Sequence, residues 1–87
     1  MKIIKETKYL DFIIPDEAEG VKQPKKTKII AIINKHHKEI IGEIRWFSRW
    51  RQYCFYPYMN TIWNFNCLND VNSVITELMT ERKVVKV

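Results

Sequence analysis

The densest concentration of ligand-binding side chains lies in residues 45–53, which read Arg-Trp-Phe-Ser-Arg-Trp-Arg-Gln-Tyr. Arginine binds phosphate or carboxylate through paired hydrogen bonds, and exposed aromatic rings stack on nucleobases. We therefore predict a ligand-binding surface here, made of Arg45, Arg49, Trp50, Arg51 and Tyr53. The alternative is that the aromatic rings belong to the hydrophobic core and the arginines form a solvated rim over them.

Lys28, His36 and His37 are the other candidate ligand-binding residues. We expect Lys28 to share a sheet face with the arginines, and the histidines to lie in a polar turn, Lys35–Lys38. Adjacent histidines can bind a metal or transfer protons, but no HExxH, HxH or Cys/His cluster accompanies them. We therefore predict either a contact to an anionic ligand or an ordinary turn, with no catalytic residue, no metal and no cofactor.

The length and charge of the chain limit the possible functions. Its 87 residues suffice for one domain with one small core. That length excludes a two-domain enzyme and a Rossmann domain with its full sheet, and we predict a protein that is not an enzyme. The net charge of +5 favours anionic partners such as nucleotides, nucleic acid or an acidic protein.

The two cysteines, Cys54 and Cys67, occur without a CxxC motif. We predict that they are free, buried thiols in a reducing compartment. Residues 1–6 are too short and too charged for a signal sequence, and no apolar run approaches the roughly 18 residues of a membrane span. The expected location is therefore the cytoplasm.

Residues that favour β-structure predict a sheet in the first two thirds of the chain. A predicted strand over 8–14 ends at Pro15, and a polar loop with an acidic and a basic half follows over 15–26. A sheet of β-hairpins then occupies 27–65. Its predicted strands are 27–34, 39–47 and 51–56, with one more short strand over 61–65.

Apolar residues spaced three and four apart from Leu68 to Met79 predict a C-terminal helix over 66–82, with Asn66 as its N-cap. An isolated helix of about 16 residues is marginal in water, so this helix must cover a face of the sheet. The predicted fold is one α+β domain, residues 1–87, in which an antiparallel sheet of three to five strands is packed by one C-terminal amphipathic helix.

The turns predict how the strands pair and which side chains share a face. The predicted pairs are Ile33 with Ile40, Ala31 with Gly42, Ile29 with Ile44, Phe47 with Arg51, Arg45 with Tyr53 and Ile44 with Cys54. The core face that results is Ile29, Ala31, Ile33, Ile40, Gly42, Ile44, Trp46, Cys54 and Tyr56. The opposite face carries basic residues at one end (Lys28, Arg45 and Arg51) and isoleucines at the other (Ile30, Ile32 and Ile41). The N-terminal strand or a second subunit must cover this isoleucine end.

Residues 42–64 carry a pattern of glycine, tryptophan, arginine and proline. In order, it consists of Gly42, Arg45-Trp46, Trp50-Arg51, an aromatic strand ending at Pro57, then Thr61 and Asn64 before the helix. This pattern resembles a group of small proteins encoded by bacteriophages, prophages and mobile elements, over about residues 40–80. The resemblance implies a viral protein in the host cytoplasm that acts as an accessory or counter-defence factor. It gives no residue an activity.

These observations support a binding protein whose ligand is anionic. The first hypothesis is a non-enzymatic, homo-oligomeric protein that captures a phosphate-bearing nucleotide, specifically a phage sponge for a cyclic or adenosine-derived immune signal. One alternative is an accessory protein that binds single-stranded nucleic acid on the same surface. The other is an inhibitor that blocks a host defence enzyme by protein contact. None of these hypotheses involves a membrane.

Overall fold

The computed structural model describes the backbone of residues 1–85 and the side chains of residues 1–82. In chain order the elements are β1 (Lys2–Glu6), β2 (Leu10–Ile14), a 3₁₀ helix (Glu17–Glu19), β3 (Ile30–Asn34), β4 (Glu39–Phe47), β5 (Gln52–Pro57) and α1 (Phe65–Val85). The five strands form one antiparallel sheet in the order β1-β2-β3-β4-β5, and α1 packs on one face of it. The predicted α+β fold is confirmed.

Strand β1 was not predicted, and it extends the sheet at one edge. Its pairing with β2 shifts between Ile3 and Lys5, which leaves Ile4 as a bulge. The Lys5 ammonium then reaches α1 and donates hydrogen bonds to Ser73 Oγ (2.8 Å) and Glu77 Oε1 (3.0 Å). The sheet therefore begins at residue 2, which corrects the predicted boundary of 27–65. The predicted N-terminal strand over 8–14 is β2, which pairs edge to edge with β3 and so does not lie over the isoleucine end of the other sheet face.

A bulge in β4 changes the predicted register of the first hairpin. The predicted pair of Ile33 with Ile40 is present, but the next pair is Ile32 with Gly42, so Ile41 has no partner. Because β4 has one extra residue at the bulge, the β3 side chains that precede Ile33 lie on the face opposite to the predicted one. The predicted pairs of Ala31 with Gly42 and of Ile29 with Ile44 are therefore wrong.

The second hairpin is also displaced by one residue from its predicted register. Phe47 pairs with Gln52 rather than with Arg51, because the connection has four residues, 48–51, instead of three. The backbone N–H of Arg51 donates to Ser48 O at 3.2 Å, and Arg51 takes the left-handed conformation with φ of 53°. In the three-residue connection that we predicted, glycine is the preferred residue for that conformation, and this segment has none. The longer connection shifts each partner in β5 by one.

The core lies between α1 and one face of the sheet. Its buried side chains are Leu10, Phe12, Ile30, Ile32, Ile44, Tyr53, Val71, Val74 and Leu78. Of the predicted core face, Ile44 is buried there and Trp46 packs at its margin, whereas Ile40 and Tyr56 are exposed. The two shifts in register explain why Ile30, Ile32 and Tyr53 take places that were predicted for their neighbours.

Helix α1 begins earlier than predicted, at Phe65. The Asn64 side-chain oxygen accepts a hydrogen bond from the backbone N–H of Cys67 at 2.8 Å, which is the role of an N-cap. Asn64 therefore replaces Asn66 as the cap, and residues 61–64 form an irregular connection instead of the predicted short strand. No helix in residues 1–85 has the length and apolar character needed to cross a membrane.

Candidate functional site

The predicted hairpin tip is exposed. Arg49, Trp50 and Arg51 all lie in the 48–51 connection, and 66% of the Trp50 surface is accessible. The Trp50 ring meets Phe47 edge to face, with 4.9 Å between ring centroids, and this contact restrains the orientation of the Trp50 ring. This tip brings together three of the predicted binding residues as an open platform.

Arg45 lies on the sheet face that α1 does not cover, and it is not free. Its Nε is 3.4 Å from Glu43 Oε1, while Glu43 Oε2 accepts a 2.5 Å hydrogen bond from the Tyr58 hydroxyl. The hydrogen bond to Glu43, with a smaller effect of burial, raises the pKa of Tyr58 to about 12. The Glu43 carboxylate therefore already pairs with Arg45, which makes Arg45 less available to bind an incoming anion.

Tyr53 cannot stack on a ligand with its ring face, because only 4% of its surface is exposed and it lies in the core. The prediction of Tyr53 as a stacking residue is therefore wrong, and the register of β5 is the reason. Its hydroxyl instead accepts a hydrogen bond from the backbone N–H of Lys28 at 3.1 Å. Tyr53 thus anchors a loop that carries basic residues.

His36 and His37 lie far from the hairpin tip. The turn that holds them and the 48–51 connection are at opposite ends of β4, whose nine residues span roughly 30 Å. Asn34 Oδ1 accepts hydrogen bonds from the backbone N–H of both histidines, at 2.9 and 3.2 Å, which defines an ordinary Asx turn. One small ligand therefore cannot contact both the histidines and the tip within a single chain.

A groove with a volume of about 690 Å³ lies between the loop before β3 and the C-terminal part of α1. That volume lies within the ordinary range for small-molecule sites. Its floor is apolar, and its rim carries basic side chains. The lining residues are Ile14, Gln23, Pro24, Lys25, Lys26, Thr27, Lys28, Tyr53, Leu78, Glu81 and Arg82.

The charges at the rim of this groove are mostly positive. Lys25 and Lys26 are exposed, and neither forms an ion pair within residues 1–82. Lys28 Nζ lies 3.2 Å from Glu81 Oε2, which is the one carboxylate lining the groove in the described residues. The Arg82 guanidinium stacks 4.0 Å above the Trp46 ring. The rim therefore has a net positive charge and can attract an anion.

The side chains of three residues hold the groove in shape. Gln23 Nε2 donates to the carbonyl oxygens of Pro15 and Ile29, both at 2.9 Å, and Gln23 Oε1 accepts from the Ile29 N–H at 2.8 Å. Across the groove, Arg82 donates to Lys26 O at 3.1 Å. With the Tyr53 anchor, these bonds tie the loop to both the sheet and the helix. The groove is thus preorganised, which lowers the cost of ordering it around a ligand.

Two acidic side chains of the 15–26 loop, Asp16 and Glu19, contact the N-terminus of the chain. The Met1 amino group lies 3.0 Å from Asp16 and 3.2 Å from Glu19. The hydrogen bond to Asp16 raises the pKa of that amino group, and the same bond lowers the pKa of Asp16. These two carboxylates face the N-terminus, and neither lines the groove, whereas Lys25 and Lys26 of the basic half do.

Sequence reasoning found part of this groove. Lys28 and Tyr53 were both predicted as binding residues, although Tyr53 contributes an anchor and not a stacking face. Lys25 and Lys26 were recognised only as the basic half of a loop, and Arg82 was not singled out at all. The feature of the sequence that could have indicated this groove is the long 15–26 loop with its run of lysines, since long loops commonly carry function.

The other candidate chemistry in the chain is sparse. Cys54 and Cys67 are free thiols, and both are half-buried. Within the described residues, no group of three or more histidine, cysteine or acidic side chains is placed to hold a metal ion. Within residues 1–82, the groove and the hairpin tip are therefore the two surfaces whose residue types suit a ligand.

Comparison with known proteins connects the chain to a bacteriophage. It is 38% identical over 81 residues to a protein of Acholeplasma phage L2 described as an uncharacterized 9.3 kDa protein, and the match covers 92% of this chain and 96% of the phage protein. The chain belongs to the family of this phage protein. No family model matches the chain, and no solved structure matches it at a significant level. The family therefore includes a phage protein, and the description of that protein names no ligand.

Proposed function

We propose that this protein of a phage family binds a phosphate-bearing nucleotide, without turnover, in the groove between the loop and α1. The observation that carries this proposal is the combination of an apolar floor and a basic rim in one preformed cavity of about 690 Å³. A nucleotide has the same division, because its base is flat and largely apolar while its phosphate is anionic. The groove replaces the hairpin tip as the main site.

The residues divide between the two ends of such a ligand. Lys25 and Lys26 are free to bind phosphate by charge-assisted hydrogen bonds. Ile14 and Leu78 provide apolar surface against which a base packs. The Glu81 carboxylate can accept hydrogen bonds from a sugar hydroxyl or a base amino group while it remains paired with Lys28.

Among the residues that the structure describes, the groove contains no set suited to catalysis. Its single carboxylate is held by Lys28, and neither histidine lies near it. We therefore propose capture and release of the intact nucleotide. In a phage context, such a protein serves as a sponge that lowers the free concentration of a cyclic or adenosine-derived signalling nucleotide, which is the counter-defence role that the sequence suggested.

Isothermal titration calorimetry of the full chain against cyclic mononucleotides, cyclic dinucleotides and ADP-ribose derivatives tests this proposal. The variant Lys25→Ala/Lys26→Ala should weaken binding at least about tenfold, since each charge-assisted bond contributes roughly 1.5–3 kcal/mol. Arg49→Ala/Arg51→Asn is the matched control, because it also removes two positive charges and asparagine tolerates the left-handed backbone at 51.

The outcomes separate the groove from the tip. Binding that Lys25→Ala/Lys26→Ala abolishes and the control retains supports the groove. Flat titrations with every nucleotide would sink the proposal, and so would loss of binding only in the control variant. Chromatography of the recovered nucleotide should show it unchanged, and a cleaved product would contradict capture without turnover.

A second candidate function is supported by the exposure of the hairpin tip. Trp50 presents a ring flanked by Arg49 and Arg51, an arrangement that suits stacking on a base of single-stranded nucleic acid. Fluorescence anisotropy with a labelled oligothymidylate would measure it, and the apparent affinity should fall steeply as salt increases. Trp50→Ala should then reduce oligonucleotide binding while nucleotide binding in the groove is unchanged.

A further inference from the structure

A patch of exposed apolar side chains lies between the end of β5 and the first turns of α1. We call it the 58–68 patch, and its members with their exposed fractions are Tyr58 (40%), Met59 (88%), Ile62 (97%), Phe65 (71%) and Leu68 (44%). Monomeric proteins rarely expose contiguous apolar surface beyond a few hundred Å². These five residues lie within eleven positions of the chain, and three of them expose more than two thirds of their surface, so this segment is the candidate for a partner surface.

The segment that carries the patch has a fixed conformation. The Thr61 hydroxyl donates to Tyr58 O at 2.7 Å and accepts from Trp63 Nε1 at 2.8 Å. The Trp63 ring packs edge to face on Phe55, with 4.7 Å between centroids, and is partly buried against the core. Because Trp63 is held inward, its neighbour Ile62 is directed to solvent. The patch is a built surface and needs no ordering before it binds.

The charge pattern of the chain indicates which partner fits. Residues 52–69 contain no charged side chain, although 29% of the whole chain is charged and its net charge is +5. Two copies of a protein with this charge repel each other wherever basic surfaces face. We propose that the 58–68 patch is the interface of a homodimer, because its own side chains are uncharged and the charged group bonded to it is the Glu43 carboxylate on Tyr58, so two positively charged copies can meet there with little repulsion.

The size of the patch agrees with a self-association of moderate strength. Its exposed side chains offer on the order of 600 Å² per copy, against roughly 800 Å² per partner for a standard interface. The rim of the patch carries the neutral amides Asn66 and Asn69, which are exposed on α1. Amides both donate and accept hydrogen bonds, so the same rim complements itself across a two-fold axis.

The dimer interface and the groove are separate. Phe65 and Leu68 lie in the first turns of α1, whereas Leu78, Glu81 and Arg82 of the groove lie near its other end. Leu78 follows Phe65 by thirteen positions, which correspond to about 20 Å along the helix. Each copy in the dimer therefore keeps its own accessible groove, and the dimer can be tested independently of nucleotide binding.

Sedimentation velocity of the full chain over a wide concentration range tests the proposal. The wild-type protein should sediment as a dimer, and Ile62→Glu should raise the dimer dissociation constant at least about 100-fold, because the charge enters the interface twice. Since 97% of Ile62 is exposed, this variant should fold normally. Met59→Glu is a second variant with the same expected effect, and Ile40→Glu, an exposed isoleucine outside the patch, is the matched control.

Salt provides a further criterion. Raising NaCl from about 0.05 M to about 0.5 M screens the repulsion between the two positive copies, so an apolar dimer should be maintained or strengthened. A wild-type protein that stays monomeric at every concentration would overturn the proposal and leave the patch to a different protein. A dimer that dissociates in salt, or that Ile40→Glu disrupts while Ile62→Glu does not, would overturn it as well.

Discussion

Replacing Gln23 with alanine tests whether one side chain holds the groove in shape. The Gln23 amide makes three hydrogen bonds, two as donor to Pro15 O and Ile29 O and one as acceptor from the Ile29 N–H, all at 2.8–2.9 Å. An amide side chain can make about four, so this one is nearly saturated. Gln23→Ala removes all three and releases the loop between its two ends.

The expected cost follows from the number and burial of these bonds. Each net hydrogen bond contributes roughly 0.5–1.5 kcal/mol, so the three together contribute about 3 kcal/mol. Because the backbone partners are only partly buried, water satisfies some of them in the variant. We therefore expect the free energy of unfolding to fall by about 1.5–3 kcal/mol. For a domain of this size, Tm should fall by roughly 6–24 °C.

Urea and thermal unfolding followed by circular dichroism would measure this change. Gln52→Ala is the matched control, because Gln52 is the other glutamine of the chain, is exposed, and makes no side-chain hydrogen bond within the described residues. The control should change the free energy of unfolding by less than about 0.5 kcal/mol. Nucleotide affinity should also fall in Gln23→Ala, because the loop must then be ordered when the ligand binds.

Equal stability of the two glutamine variants would refute this account of the loop. A second refuting result would be a destabilised Gln23→Ala in which hydrogen exchange at the Ile29 amide stays as slow as in the wild type. That amide is the donor to Gln23 Oε1, so its protection must decrease if the side chain is what closes the loop.

Three further predictions concern the residues around the two sites. Tyr53→Phe deletes the hydroxyl that anchors the groove loop and should lower stability by about 1 kcal/mol in urea unfolding, while Tyr56→Phe on the same strand should be near neutral; equal effects would contradict the anchor. Gly42→Ala places a methyl group 3.1 Å from two aromatic side chains and 3.2 Å from a carbonyl, so it should lower stability by about 1–3 kcal/mol, and an unchanged or higher Tm would show that the packing is looser than described. The hydrogen bond to Glu43 raises the pKa of Tyr58 from 10.0 to about 12, so the stabilisation from this bond is complete below pH 10 and is lost as pH rises to about 12. The difference in stability between wild type and Tyr58→Phe should therefore shrink over that range, and a constant difference would refute the role of this hydrogen bond.

The strands and the helix follow largely from local sequence. The isoleucine-rich run of β3, the end of β2 at Pro15 and the apolar spacing of α1 each depend on neighbouring residues only, and each element is where the pattern indicates within a few residues. Strand β1 was missed because its two isoleucines sit among lysines and a glutamate. Its formation depends on pairing with β2, which no local pattern contains.

The faces of the sheet could not be derived in the same way. Ile33 pairs with Ile40 as predicted, but the bulge at Ile41 decides which side chains of β3 meet the helix. The bulge brings Gly42 under Trp63 and Phe55, where a larger residue has no room. Only the packing of the whole core selects that register, since the cost of the wrong one appears in contacts distant in sequence.

The sequence by itself determined the fold class, the resemblance to a phage family, and the basic and aromatic character of the candidate ligand-binding side chains. These properties depend on composition and short-range spacing, which a linear chain displays directly. The tertiary structure decided where the candidate site lies, because it placed Tyr53 inside the core and brought Arg82 to within 3.1 Å of the Lys26 carbonyl, 56 residues away in the chain. A groove between a loop and a helix exists only once both have packed on the sheet, so its position follows from register and packing and cannot be seen in the order of residues.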